Sequence, residues 1–289
     1  MTRPCPGPLA PTPPRTTPPP GACDTHIHVI GPYDRYPLNP DCSYTAPEAS
    51  IEKIVDFLGI MKIDRAVIAH VTAHGMDMTV TLDALKVLGD RGRGVAMVAT
   101  DIDDGELDRL HEGGIRAIRL TPLFGEEVTL GVLKDMCGRI ARLGWHMVYA
   151  PPTAEAWLEA APLLIDMPTP VVVDHMAWRG WDVARGLDQP GLIAVVDALK
   201  AGNCWIKLAA PHRFSKTKAP WPDLKPFVQA MVEAAPERII WGSDWPHVRV
   251  WDGSMPVDAD QFDWLADCDI DDATRKLILV DNPAGLYGF

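Results

Sequence analysis

No C-x-x-C pair occurs among the six cysteines, Cys5, Cys23, Cys42, Cys137, Cys204 and Cys268, which are scattered along the chain. With Cys23, Cys137 and Cys204 in or beside apolar segments, this usage fits reduced thiols and a cytoplasmic location rather than a disulfide framework. Basic residues are the minority, 27 Lys and Arg against 39 Asp and Glu, for a formal charge of −12. Nucleic acids and anionic membranes are polyanions that need a basic surface, so neither is expected as a partner, and an anionic substrate would have to be held by local arginines. A long apolar run is missing from the start: residues 1–20 carry nine prolines and one long aliphatic side chain, Leu9. That excludes the apolar centre of a signal peptide, and the segment is expected to be an extended or disordered arm. No G-x-G-x-x-G or phosphate loop follows any apolar run, which argues against an open doubly wound nucleotide-binding sheet.

What is present is enough apolar residue, 47% of 289, to bury a large core, and residues 21–289 are read as a single domain. Eight short runs rich in Val and Ile (22–30, 65–71, 94–100, 115–121, 145–150, 171–175, 204–209 and 239–243) predict strands. Segments of helical period lie between them, at 50–62, 77–90, 104–113, 130–143, 154–165, 189–201 and 222–235, with a last one near 271–280. In 130–143, for example, Leu130, Leu133, Met136, Cys137 and Ile140 form one apolar stripe. Eight strands each followed by a helix predict an α/β fold, the (β/α)8 TIM barrel, with room for distortion and with the active site at the C-terminal ends of the strands.

Unusual polar residues fall at those ends. The first strand closes with CDTHIHVIG, in which His26 and His28, two apart, share one face. A lone strand-end histidine is commonly structural. Two on one face leave several donors and acceptors to satisfy, which points to a shared task. The second strand is followed by Thr72 and His74, the fourth ends at Arg119, the fifth at Tyr149 and the sixth at Asp174-His175. His212-Arg213 follow the seventh strand, and Asp244 and His247 the eighth; Asp244 would also suit a turn cap. Asp24 could orient a histidine from behind, and His146, at the opening of its strand, is read as structural.

The D-T-H-x-H strand, the later strand closed by histidine and the aspartate of WGSDWPH resemble the amidohydrolase superfamily, of the amidohydrolase 2 type. DTHIHVIGPYDRYPL, HVTAHGMDMTVTLDAL, VVVDHM, PHRFS, RIIWGSDWPH and LVDNPAGLYGF are similar to the 2-pyrone-4,6-dicarboxylate lactonases and their relatives acting on sugar-acid lactones and muconolactones. The resemblance runs from about residue 21 to 289. It implies a lactone hydrolase of aromatic-compound catabolism in which Asp244 is the general base and His26, His28 and His175 polarise the carbonyl and stabilise the oxyanion. It also implies that Tyr44, Thr72, Arg119 and Arg213 hold the substrate, and His74, Tyr149 and His247 are placed with them as candidate substrate contacts. A carboxylate opposite three imidazoles suits water attack on a cyclic ester, and a guanidinium can grip a substrate carboxylate through two parallel hydrogen bonds.

Arg119 stands where two-metal members often supply a bridging lysine carboxylate, which argues against a binuclear centre, and the resemblance to the lactonase subgroup implies a metal-free site. The alternative is one zinc or manganese ion on His26, His28, His175 and Asp244. In place of a Lys-Arg pair of the dicarboxylate lactonases, this chain reads TPLFGEE, with Glu126 and Glu127. That favours a small anionic lactone with one carboxylate or a neutral second group. Three other functions stay open: a mononuclear metal-dependent decarboxylase, a lactone isomerase, or a barrel retained for ligand binding.

Overall fold

The computed structural model describes residues 2–120 and 128–289. Eight parallel strands, all buried along most of their length, pair in chain order: β1 (Cys23–Ile27), β2 (Arg65–Ala69), β3 (Gly92–Met97), β4 (Ile115–Arg119), β5 (His146–Tyr149), β6 (Val171–Val173), β7 (Cys204–Leu208) and β8 (Ile239–Trp241). Short runs of Val, Ile and Ala buried on both faces are what a parallel sheet covered by helices requires. The helices are α1 (Ile51–Met61), α2 (Thr79–Leu88), α3 (Asp104–Glu112), α4 (Leu130–Ala141), α5 (Ala154–Leu164), α6 (Pro190–Ala201), α7 (Lys225–Ala234) and α8 (Asp258–Asp267). Several start at a side-chain cap: Ser50, Asp103, Thr129 and Thr153 each accept a hydrogen bond from a backbone N–H of the first turn.

The first and last strands meet without a regular ladder. Thr25 Oγ1 donates to the Trp241 carbonyl (2.7 Å), the Asp244 N–H to the His26 carbonyl (2.9 Å) and the His28 N–H to the Trp245 carbonyl (2.9 Å). Gly242 permits this approach, because a Cβ there would stand 2.6 Å from His26 Cβ and 2.9 Å from its nitrogen. Asp24 Oδ1 accepts from both His26 N and Ser243 N at 3.0 Å and ties the same seam. The sheet thus forms a nearly closed barrel, the (β/α)8 architecture.

Alternation along the strands layers the interior. Cys23, Val67, Val95, Ala117, Val148, Val172 and Ile240 make an apolar floor with Tyr287 beneath it. Two residues further along the same faces come Arg119 after Ala117, Asp174 after Val172 and Lys207 after Trp205, so a charged layer sits on the apolar one. His146 is buried at the floor against the Tyr287 ring (4.7 Å), away from the strand ends.

Helix α8 was not anticipated from the sequence. Its first turn holds Asp258 and Asp260, which dilute the pattern, yet Phe262, Trp264 and Leu265 are buried. The segment expected near 271–280 is a short helix (Asp272–Lys276) that runs through one wider turn (Leu277–Asp281) into Asn282–Tyr287. Asn282 Nδ2 donates to the carbonyls of Pro236 (2.8 Å) and Ile239 (2.7 Å), which fixes this segment under β8.

The N-terminal arm is extended and lies on the barrel. Arg3–Pro4 run parallel to Tyr44–Thr45, Trp251 Nε1 donates to the Pro4 carbonyl (2.9 Å), and the backbone N–H groups of Arg15 and Thr16 donate to the Asp263 carboxylate (2.8 Å each). The segment TPLFGEE, with Glu126 and Glu127, lies outside the described residues.

Candidate active site

A cavity of about 590 Å³ opens at the C-terminal ends of the strands and is lined by residues at or after the ends of every strand but β3. His26 and His28 reach it from the end of β1, His175 from β6, Arg213 from the turn after β7 and Asp244 from the turn after β8. His175 (φ 47°) and Asp244 (φ 68°) both sit in the left-handed region, a strained backbone for a residue with a Cβ. Such strain persists where surrounding contacts over-determine it, and here it turns both side chains into the cavity.

One carboxylate oxygen is the focus. Asp244 Oδ1 lies 3.6 Å from His26 Nε2, 3.5 Å from His28 Nε2 and 4.0 Å from His175 Nε2. Its other oxygen accepts from Arg213 Nη2 (3.1 Å), which also donates to the Val248 carbonyl (3.0 Å). Burial alone would raise the Asp244 carboxyl. Arg213, with the histidines behind it, instead holds it well below the usual carboxylate range. Near neutral pH it is therefore ionised. Burial lowers His175, and burial with the nearby Lys207 charge takes His26 down to about 3, so the His26 ring is neutral. The buried His26 Nε2 has no hydrogen-bond partner of its own, and it faces the space a reacting molecule would fill.

Of the residues expected at the substrate, Tyr44, Thr72, Arg119 and Arg213 line the same cavity, and Tyr44 Oη and Thr72 Oγ1 are hydrogen-bonded at 2.9 Å. Three others lie elsewhere. His74 Nδ1 donates to the Pro37 carbonyl (3.1 Å) and its Nε2 accepts from Gly31 N (3.3 Å), so both ring nitrogens secure the loop after β1. His247 is buried, with Nε2 against Asp258 Oδ1 at 2.8 Å. Tyr149 follows the inward-facing Val148 and by alternation packs outward, leaving Ala150 and Pro151 to reach the cavity. His28 Nδ1 faces the Ala69 carbonyl at 2.7 Å, an oxygen that can only accept, so Nδ1 carries a hydrogen.

The sequence reading missed Lys207, fully buried, whose Nζ is 2.8 Å from Asp174 Oδ1 and 3.2 Å from His26 Nδ1. A lysine in the apolar run CWIKLA, two residues before the strand end, was the available signal. It missed Arg179 and Arg249 at the cavity mouth, which come from irregular loops with no periodicity to mark them. Arg249 stacks over the Tyr44 ring at 5.9 Å and Arg179 over Trp178 at 4.5 Å.

Among the described residues, two groups have the spacing of a metal shell: His26, Asp174 and His175, and His26, His28 and Asp244. In the first, Lys207 Nζ already holds the place of a cation between Asp174 and His26. The second keeps a small ion's spacing, and its fitness turns on whether His26 Nε2 offers a lone pair.

The barrel places a strand-end carboxylate opposite three imidazoles, side chains suited to acid–base chemistry. The chain belongs to the amidohydrolase family, whose model matches residues 23–289. It is 34% identical to a 2-pyrone-4,6-dicarboxylate hydrolase of Comamonas testosteroni, over 96% of this chain and 93% of that protein. It is 32% identical to a 4-sulfomuconolactone hydrolase of Hydrogenophaga intermedia, over 93% of this chain and 89% of that one. A crystal structure of an Agrobacterium tumefaciens protein, 26% identical, superposes with a TM-score of 0.82 and covers 97% of this chain and 98% of its own.

Proposed function

We propose that this enzyme hydrolyses a carboxylated lactone, a 2-pyrone-like or muconolactone-like ring, without a metal. The observation that carries the reading is the ionised Asp244 carboxylate, faced by three imidazoles and enclosed with Arg119 and Arg213 in one cavity. The relatives that open pyrone and muconolactone rings support the substrate class.

In this reading the substrate lies with its carbonyl carbon over Asp244 Oδ1. Water gives one proton to Asp244 as its oxygen attacks the carbonyl carbon, and its other hydrogen stays on that oxygen. Charge develops on the carbonyl oxygen, where His26 and His175 stand, and donors set in a water-poor site stabilise it far more than water would. The ring C–O bond then breaks. The leaving oxygen takes back the proton that Asp244 accepted, and a ring-opened acid results. Arg119 and the arginines of the mouth, Arg179 and Arg249, supply positive charge for the substrate's anionic group. The ring size and charge distinguish substrates: a panel of mono- and dicarboxylated pyrones and muconolactones would be followed by loss of ring absorbance and by proton release. Ring opening with about one proton per turnover and no carbon dioxide supports hydrolysis. Carbon dioxide release, or a rearranged lactone with no net proton, would replace it with decarboxylation or isomerisation.

A further inference from the structure

The lysine inside the barrel has no part in that scheme, and its surroundings leave it little freedom. Lys207 rises from the apolar floor on the inward face of β7, fully buried, with Asp174 from β6 at 2.8 Å. The Asp174 carboxyl, which burial would raise, is held well below its usual range by Lys207 and His26, and Lys207 Nζ stands at ion-pair distance from it. A buried ion pair is weak evidence of stabilisation, because desolvation offsets much of the attraction. Its retention calls for another account.

We propose that the Lys207–Asp174 pair is a positioning device that fixes the tautomer of His26, so that His26 Nε2 carries the ring hydrogen and donates into the cavity. An ammonium has three N–H bonds and no lone pair. At 3.2 Å from His26 Nδ1, Lys207 can only donate, and Nδ1 must therefore accept. The competing arrangement, Nδ1–H donating to Asp174 Oδ1, would span 3.5 Å and set two N–H groups head-on at the shorter contact. In the neutral ring the one hydrogen is left on Nε2, the atom 3.6 Å from Asp244 Oδ1. His28 has no such lysine, and its Nδ1 donates to the Ala69 carbonyl instead. The assignment rests on the lactonase reading for its purpose, since a donor suits the carbonyl oxygen. It also bears on metal binding: both candidate ligand groups include His26, which offers a cation no lone pair, so neither fits an ion as the side chains are paired.

The test is the long-range proton–nitrogen spectrum of the full chain labelled in its histidine rings, with His26 assigned by the signals lost in His26→Gln. At neutral pH, His26 Nδ1 is expected to resonate as a lone-pair nitrogen and Nε2 as a hydrogen-bearing one. A hydrogen on Nδ1 would overturn the proposal. The double variant Lys207→Met/Asp174→Asn removes both charges together and avoids a lone buried ion. In it the hydrogen is expected to move to Nδ1, where the amide oxygen at 174 accepts it. With the donor lost, kcat is expected to fall about 100-fold while KM changes less than about threefold. A folded double variant with unchanged tautomer and kcat would refute the assignment. If the unaltered protein opens no lactone but shows hydrogen on Nε2, the lactonase reading falls and the tautomer assignment stands. An active enzyme with hydrogen on Nδ1 gives the reverse.

Discussion

Replacing Asp244 by asparagine separates its chemistry from its place in the fold. The amide keeps the side-chain shape and an oxygen acceptor, so the turn after β8 and the Asp244 N–H to His26 carbonyl bond (2.9 Å) are undisturbed. What is lost is the charge opposite Arg213 (3.1 Å) and the proton acceptor facing His26 and His28. A positioned general base contributes about 10²- to 10⁴-fold, so kcat should fall by that factor, roughly 3–5 kcal/mol in activation free energy. Stability should change less. Removing one partner of a fully buried pair costs about 3–5 kcal/mol, but Arg213 is 14% exposed and keeps the Val248 carbonyl. A loss of about 1–2 kcal/mol, a few degrees in Tm for a chain of this size, is expected. Steady-state kinetics beside thermal melting checks both. A folded variant within tenfold of the unaltered kcat would refute the assignment of the base.

The remaining expectations concern binding and pH. Arg119→Lys keeps a positive charge in the cavity but loses the planar fork, so KM for a carboxylated lactone should rise about tenfold or more while that for an uncharged ester stays put; equal shifts for both would remove Arg119 from substrate recognition. Tyr149→Phe should leave KM within about twofold, because the ring packs outward from the barrel, and a larger rise would place it at the substrate after all. Burial raises Asp24 from 3.8 to about 7, against the hydrogen bonds from Ser243 and His26. A raised carboxyl favours the folded state fully below its unfolded value, and that contribution is lost as pH rises through about 7, by about 1.4 kcal/mol per pH unit across the window. Asp24→Asn, which keeps the acceptor and removes the charge, should therefore flatten the loss between pH 4 and 7 in denaturant titrations; an identical pH slope in both proteins would contradict it.

The barrel was legible because each strand is a short Val/Ile run and each helix but one has a clean apolar stripe. Helix α8 escaped because acidic residues crowd its first turn, although Trp264 and Phe262 are buried. At the site, His26, His28, His175 and Asp244 could be read from strand-end position. Tyr149 lies off the cavity lining because Val148 takes the inward face, which counting residues to the strand end leaves open. His74 and His247 lie off the cavity lining, and their hydrogen bonds run to the Pro37 carbonyl, 37 residues away, and to Asp258 at the start of α8, 11 residues on. Lys207 was passed over for a related reason: its meaning lies in Asp174 and His26, 33 and 181 residues away, and no local pattern connects them.

The central claim is that Asp244 and its histidines open a lactone with no metal ion. It is tested most directly by metal analysis of the purified full chain, with turnover on a carboxylated lactone measured before and after exhaustive chelation. Far less than one metal per chain, with turnover unchanged by chelation, is the result expected. One zinc or manganese ion per chain, whose removal abolishes turnover and whose return restores it, would contradict the claim and place His26, His28 and Asp244 around that ion.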